Sequence, residues 1–273
     1  MTLRRFASRV LAGALIVVPS LASAQSILLQ IKPHVGDTLD VRLDQRIEMT
    51  GTPAACPKPQ ACPASARRMT TTTEVFSKAI VKSMNSDGAR VLAVTDSIRT
   101  ASSRGSVVGK PRRVKTRGDR IELRVSREGG AEVIDAEASD ELRAIFGQMP
   151  ATLSDKPVRI GGKWNRQMRM PIAGEAGAIG MIRATFQLDS LGTNGDIAYI
   201  SMRGTLSHDH RDGSVSEVDG WMTGSIQLDR RLAWITETRA EIDVTSMVRG
   251  APGAEPMRVR TRVLQHLTAW PAR

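Results

Sequence analysis

The chain has 273 residues, with 39 Lys and Arg against 28 Asp and Glu, a net charge of +11 and an aromatic content of only 3%. A basic protein of this kind can dwell near anionic lipid head groups or surface polysaccharide. One Tyr, four Phe and four Trp leave few rings for bases to stack on, which argues against nucleic acid as a partner.

Residues 1–24 read as a secretory signal peptide. Arg4, Arg5 and Arg9 form a basic start, residues 10–19 a short apolar run, and Ala22, Ser23 and Ala24 a small-residue cleavage site before Gln25. Arg4, Arg5 and Phe6 hint at the twin-arginine route, but the general secretion route fits better. A periplasmic or secreted protein is expected, with residues 25–273 as a single β-rich domain. No later stretch is long and apolar enough for a transmembrane helix. Cys56 and Cys62 lie in Cys-Pro-Lys-Pro-Gln-Ala-Cys. Outside the cytoplasm two such close cysteines are expected to form a disulfide that pins a local loop.

Lys32, Pro33 and Gly36 mark a first turn, and the clearest strand follows. Leu39, Val41, Leu43, Ile47 and Met49 alternate with Asp40, Arg42, Asp44, Arg46 and Glu48, interrupted only by Gln45. Period two over this length is a half-buried antiparallel strand. After the Pro-rich cysteine loop, residues 69–83 return as a β-branched strand. Asn85, Asp87 and Gly88 make a hairpin turn into a partner strand over 89–99. Residues 100–120 are looser and basic. Ile121, Leu123 and Val125 alternate again, and Glu128, Gly129 and Gly130 turn the chain back. At Ser139 the period changes: Leu142, Ile145 and Phe146 share a helical face after Asp140 and Glu141, so a short helix is expected over 139–147.

Lys156, Pro157, Gly161 and Gly162 then open a second round ending in Trp164. Met168, Met170 and Ile172 alternate onward, followed by strands around Ile182, Phe186 and Leu188 and around Ile200, Met202 and Leu206. Asn194 and Gly195 form the hairpin between them. Strands around Met222, Ile226 and Leu228, over 232–244 and from Met257 complete the chain. Gly36 matches Gly161, Gly88 matches Gly195, and Ile121 and Leu123 match Ile226 and Leu228. The spacing shortens where the first copy carries its cysteine loop. Two pseudo-repeats, 25–149 and 150–273, account for this. The expected fold is mainly β: a large curved antiparallel sheet, a half-barrel or open barrel of about eleven strands, with one short helix.

This order of strand pairs, helix, Pro157, Val158, Gly161 and Trp164, then further strand pairs and the run from Gly224 to Asp229, resembles exported bacterial families of unknown function. Those are similar in outline to the periplasmic lipoprotein carriers, in which a half-barrel wraps over helices around an apolar cavity. The resemblance implies a carrier-like architecture and an apolar ligand.

The residues show no catalytic signature. There is no Gly-x-Ser-x-Gly elbow, no Ser-x-x-Lys and no glycine-rich loop before a helix, so neither an enzyme nor a cofactor is expected. Glu137, Asp140 and Glu141 fit a helix N-terminus better than an acid/base pair. His208, Asp209 and His210 have the spacing of a metal half-site but fall in a polar turn, so no metal is expected. Lys110, Arg112, Arg113, Lys115 and Arg117 could meet an anionic envelope surface, although a solvated loop explains them as well. Trp164, Met168, Met202, Trp221, Met222 and Trp234 could line a cavity for a lipid or other apolar ligand, the alternative being ordinary core. The functional expectation is a non-enzymatic envelope protein that binds such a ligand in the concave face of the sheet. The alternative is a structural or protein-interaction module without a small-molecule site.

Overall fold

The structure, a computed structural model, describes residues 26–54, 67–105, 107–108, 112–114, 118–135, 150–171, 179–208, 218–248 and 256–272. The signal peptide expected over residues 1–24, Cys56 and Cys62 with their expected disulfide, and the helix expected over 139–147 lie outside the described residues. No helix occurs among those described.

The strands are β1 (Thr38–Pro53), β2 (Arg67–Asn85), β3 (Gly88–Arg104), β4 (Val107–Val108), β5 (Arg112–Val114), β6 (Arg120–Val125) and β7 (Ala131–Val133), then β8 (Lys163–Pro171), β9 (Ile179–Leu191), β10 (Ile197–His208), β11 (Val218–Asp229), β12 (Trp234–Val248) and β13 (Met257–Pro271). All belong to one open antiparallel sheet, in the order β7-β6-β3-β2-β1-β13-β12-β11-β10-β9-β8, with β4 and β5 paired to β3 off this path. The expected mainly-β sheet of about eleven strands is therefore what forms: eleven on the main path, open rather than closed.

From the β8 edge the sheet runs through the second half of the chain to β13, and then through the first half from β1 to β7. Both halves run in the same sense. Their opening turns also bond alike. His34 O accepts from Asp37 N at 3.1 Å and Arg159 O from Gly162 N at 2.7 Å. Gly36 and Gly161 hold the third position of each turn at φ 94° and 79°, the conformation that a type II turn requires there. Gly36 N then donates to Val81 O on β2, and Gly161 N to Leu188 O on β9.

This order leaves β7 and β8 at opposite edges, so the chain between them must travel from one edge to the other. It does so across the end of the sheet where the short hairpin turns lie. Thr152 N and Leu153 N both donate to Glu128 O in the β6–β7 turn, at 2.9 and 2.8 Å. Val158 then pairs with Ile27 through two backbone bonds of 2.7 and 2.8 Å. The segment before β1 continues the cover, with Ile31 N bound to Arg127 O and Lys32 N to Ala233 O. Leu29, Ile31 and Leu153 are completely buried beneath these segments. The apolar face of each strand thus meets apolar cover at this end, and the main core sits here.

Sharp curling of the sheet requires small residues. A Cβ on Gly224 of β11 would lie 2.3 Å from Cε of Met202 and 2.1 Å from Arg239 O; one on Gly220 would lie 2.5 Å from Asp243 O. At the β2–β3 hairpin, Gly88 (φ 134°) has Val125 O where a Cβ would be, 2.1 Å away, whereas Gly36 (φ 94°) has open space. Gly88→Ala is therefore expected to cost more than about 2 kcal/mol, because backbone must move. Gly36→Ala should cost only the left-handed strain of about 1–2 kcal/mol. Denaturant unfolding of the two variants checks the order.

Candidate functional site

Along β1 the inner face changes character. Near the covered end Leu39 and Leu43 are buried, as is Ala269, opposite Val41 on β13. Further on, Gln45 faces Gln265 on one side and Thr73 on the other, and Thr73 faces Thr100. This polar rung lies across four strands. Beyond it Ile47, Met49, Val259, Val263, Ile242 and Met257 share the inner face but are only half-buried. Met69, opposite Met49, is 37% exposed. The sheet therefore carries an apolar trough at the end away from the crossing segments.

On the covered side of the rung lies a small cavity of about 100 Å³, lined chiefly by Ile31, Val41, Val91, Leu123, Trp234 and Leu267. Small-molecule sites usually occupy about 300–1,000 Å³, so this cavity alone cannot hold a lipid. It forms where the first half of the sheet curls towards the start of β12.

The outer face carries a different hollow, a groove of about 750 Å³ across β2, β1, β13, β12 and β11. Its charges are already matched. Arg42 meets Asp44 at 2.9 Å, Arg46 meets Glu48 at 2.7 Å, and Arg262 meets Glu241 at 2.6 Å. Arg42 also lies over the Phe76 ring at 5.2 Å. Arg239 and His266 both bond Oε1 of Glu237, at 2.7 and 2.9 Å, and Gln227 Nε2 donates to Oε2. Burial raises the Glu237 pKa, but the hydrogen bonds and charges of Arg239 and His266 outweigh it and hold the carboxyl below its ordinary value. Deeper in the sheet the buried Asp243 takes a two-pronged bond from Arg260, with Nη2 2.7 Å from Oδ2 and Nε 2.9 Å from Oδ1. Among the described residues of these central strands, the outer face thus pairs its own charges.

The six aromatic and methionine residues singled out above separate into three groups. Trp164, Met168, Met202 and Met222 are buried on the inner face of β8–β11. Trp164 stacks on Phe186 with ring centroids 5.8 Å apart, and its Nε1 donates to Thr152 O at 2.8 Å. Trp234 is half-buried and lines the 100 Å³ cavity. Trp221 is 42% exposed and occupies an outer-face position on β11. Of the six, Met222 lies opposite Ile242 at the edge of the trough; the trough's own Ile47, Met49, Met69, Val259 and Met257 look in the sequence like ordinary strand residues. Only the exposure at one end of these strands distinguishes them. Of the basic run, Arg112 and Arg113 lie in β5, paired with Thr100 and Arg99; Lys110, Lys115 and Arg117 lie outside the described residues. His208 ends β10, and Asp209 and His210 lie outside the described residues, as do Glu137, Asp140 and Glu141. No group of metal-ligating side chains occurs among the described residues.

Two measurements follow from this geometry. Trp164→Ala removes both the stack and the bond that ties β8 to the crossing segment, and should cost about 3–5 kcal/mol. Trp164→Phe, which keeps the ring, should cost about 1–2 kcal/mol; thermal melts separate them. Because the folded carboxyl of Glu237 ionises more readily than the unfolded one, its contribution is present above the ordinary glutamate pKa and is lost as pH falls through the folded value. Wild-type stability should drop more steeply below about pH 4 than that of Glu237→Gln, as read from melting temperature against pH.

No family model matches the sequence, and no curated protein matches it. Solved structures do. Lipovitellin, in a structure of its lipid–protein interactions, is similar over 89% of this chain at 9% identity and a TM-score of 0.52. The chain spans 26% of the length of that lipovitellin chain. An outer-membrane channel of Pseudomonas putida F1 aligns over 89% of this chain and 98% of its own, at 9% identity and a TM-score of 0.25. Pseudomonas aeruginosa OccK5 aligns over 89% and 100%, at 8% identity and a TM-score of 0.24. The lipovitellin likeness is one of fold.

Proposed function

We propose that this chain is a non-enzymatic, exported envelope protein that takes a lipid or other apolar ligand against the inner face of its sheet. The observation that carries the proposal is the uneven cover of that face. The same strands that bury Leu39, Leu43 and Ala269 at one end leave Ile47, Met49 and Val263 half-exposed and Met69 37% exposed at the other. From Ile47 to Pro53 the trough runs about 20 Å at roughly 3.3 Å per residue, the length of a fatty acyl tail. Methionine suits an apolar guest of irregular shape, since its side chain adapts to what it meets. Burying methylenes there would supply about 0.8 kcal/mol each. Lipovitellin's own lipid–protein interactions are compatible with such a use of this kind of sheet. Export rests on the leader-like residues 1–24, and the absence of enzymatic chemistry on the lack of motifs.

A second reading, a protein-interaction module without a small-molecule site, draws support from the inner cavity, which at about 100 Å³ is too small for a lipid. One experiment separates the two. The purified chain is incubated with an envelope lipid extract, recovered by gel filtration and examined by mass spectrometry. Lipid should be retained by the wild type and lost in Met49→Asp with little change in melting temperature. A wild-type protein that emerges without lipid rules out the first reading and leaves the second.

A further inference from the structure

We propose that the exposed end of the trough is built for an anionic amphiphile, with the tail against Met49, Met69 and Met257 and the head group on Arg67 and Arg104. This rests on the apolar-ligand reading above and specifies the ligand's charge. The register puts both arginines on the inner face. Arg104 lies opposite Met69, which lies opposite Met49, and Arg67 lies opposite Gly51. A Cβ on Gly51 would sit 2.7 Å from Cε of Met257, so Met257 covers that position beside Arg67. The two guanidinium groups therefore flank the exposed methionine, and both arginines are exposed.

Neither arginine holds an anion among the described residues, as is also true of Arg120, Arg127, Arg159, Arg183 and Arg203; what sets Arg67 and Arg104 apart is their place on the inner face beside Met69. Arg42, Arg46, Arg239, Arg260 and Arg262 on the central strands each hold a carboxylate. Arg68 and Arg258 at this end of the sheet also hold none among the described residues. On the neighbouring strand β1, Glu48 is already engaged by Arg46. A neutral tail laid over Met69 would strip water from two unpaired guanidinium groups. A carboxylate or phosphate at the end of that tail would replace the lost water with charge-assisted, two-pronged bonds. The combination of an apolar floor and unpaired forked cations at one end selects an anionic head with an acyl tail.

The test compares probes that differ only in the head. Oleate, oleyl phosphate and oleyl alcohol are titrated into the purified chain by calorimetry at low salt, with inorganic phosphate as a fourth arm. The anionic amphiphiles should bind about ten-fold or more tightly than the alcohol, one charge-assisted contact being worth at least that factor. Arg67→Gln/Arg104→Gln should remove the difference, while Arg203→Gln, a charge change on the outer face of β10, should keep it. Equal affinity of oleate and oleyl alcohol for the wild type overturns the head-group proposal but leaves the apolar-ligand reading standing, and needs no variant to fold. Binding of none of the amphiphiles overturns both. Tight binding of inorganic phosphate with no gain from a tail overturns the proposal in favour of a free-anion site.

Discussion

The cover at one end of the sheet depends on a few backbone bonds made by residues that belong to no strand. Glu128 O receives Thr152 N and Leu153 N, and Ile27 pairs with Val158. A single-layer sheet with one apolar face has no second layer to hide it, so something must lie across that face. Here the connection between the two halves of the chain does so, because the strand order leaves its ends on opposite edges. Trp164 fastens the return by donating to Thr152 O while its ring enters the core beside Phe186.

The asymmetry follows directly. The cover reaches the end with short hairpin turns and stops at the polar rung of Gln45, Gln265, Thr73 and Thr100. Beyond the rung β1, β2 and β13 keep apolar inner residues but only half bury them, whereas Val244, Met222, Leu206, Ile182 and Met168 on β12 to β8 remain buried. The outer face carries ion pairs on both sides of this boundary, Arg42 with Asp44 on one side and Arg46 with Glu48 and Arg260 with Asp243 on the other. On the inner face of β1, β2 and β13 the half-buried apolar side chains thus gather at one end. That is where the proposed ligand lies, and where Arg67 and Arg104 stand on the same face without acids among the described residues.

Much of the architecture was legible in the chain. The alternation from Leu39 to Met49 is β1, the Asp87–Gly88 and Asn194–Gly195 signals are hairpins, and the turns before β1 and β8 share their glycine geometry for the reason the sequence suggests. Trp164 was legible as an inward residue at the start of its strand. The candidate site was legible only in part. A buried methionine and an exposed one have the same neighbours in sequence. Met202 looked like a cavity residue and packs against the space that Gly224 vacates; Met69 looked like an ordinary strand residue and is the most exposed member of the trough. Trp221 differs from Met222 by one residue, and in a strand one residue is the whole difference between the two faces.

What the sequence determined by itself was local: which segments are strands, where they turn, which face of each is apolar, and that the whole is basic. These depend on backbone preferences and on a period of two, both written over a few neighbouring residues. What only the tertiary structure decided was the order of the strands and the extent of the cover. The union of β1 with β13, residues more than two hundred positions apart in the case of Leu39 and Pro271, is a long-range pairing that no local pattern specifies. It sends the connecting chain across one end and not the other, and so converts a uniform apolar face into a core and a trough.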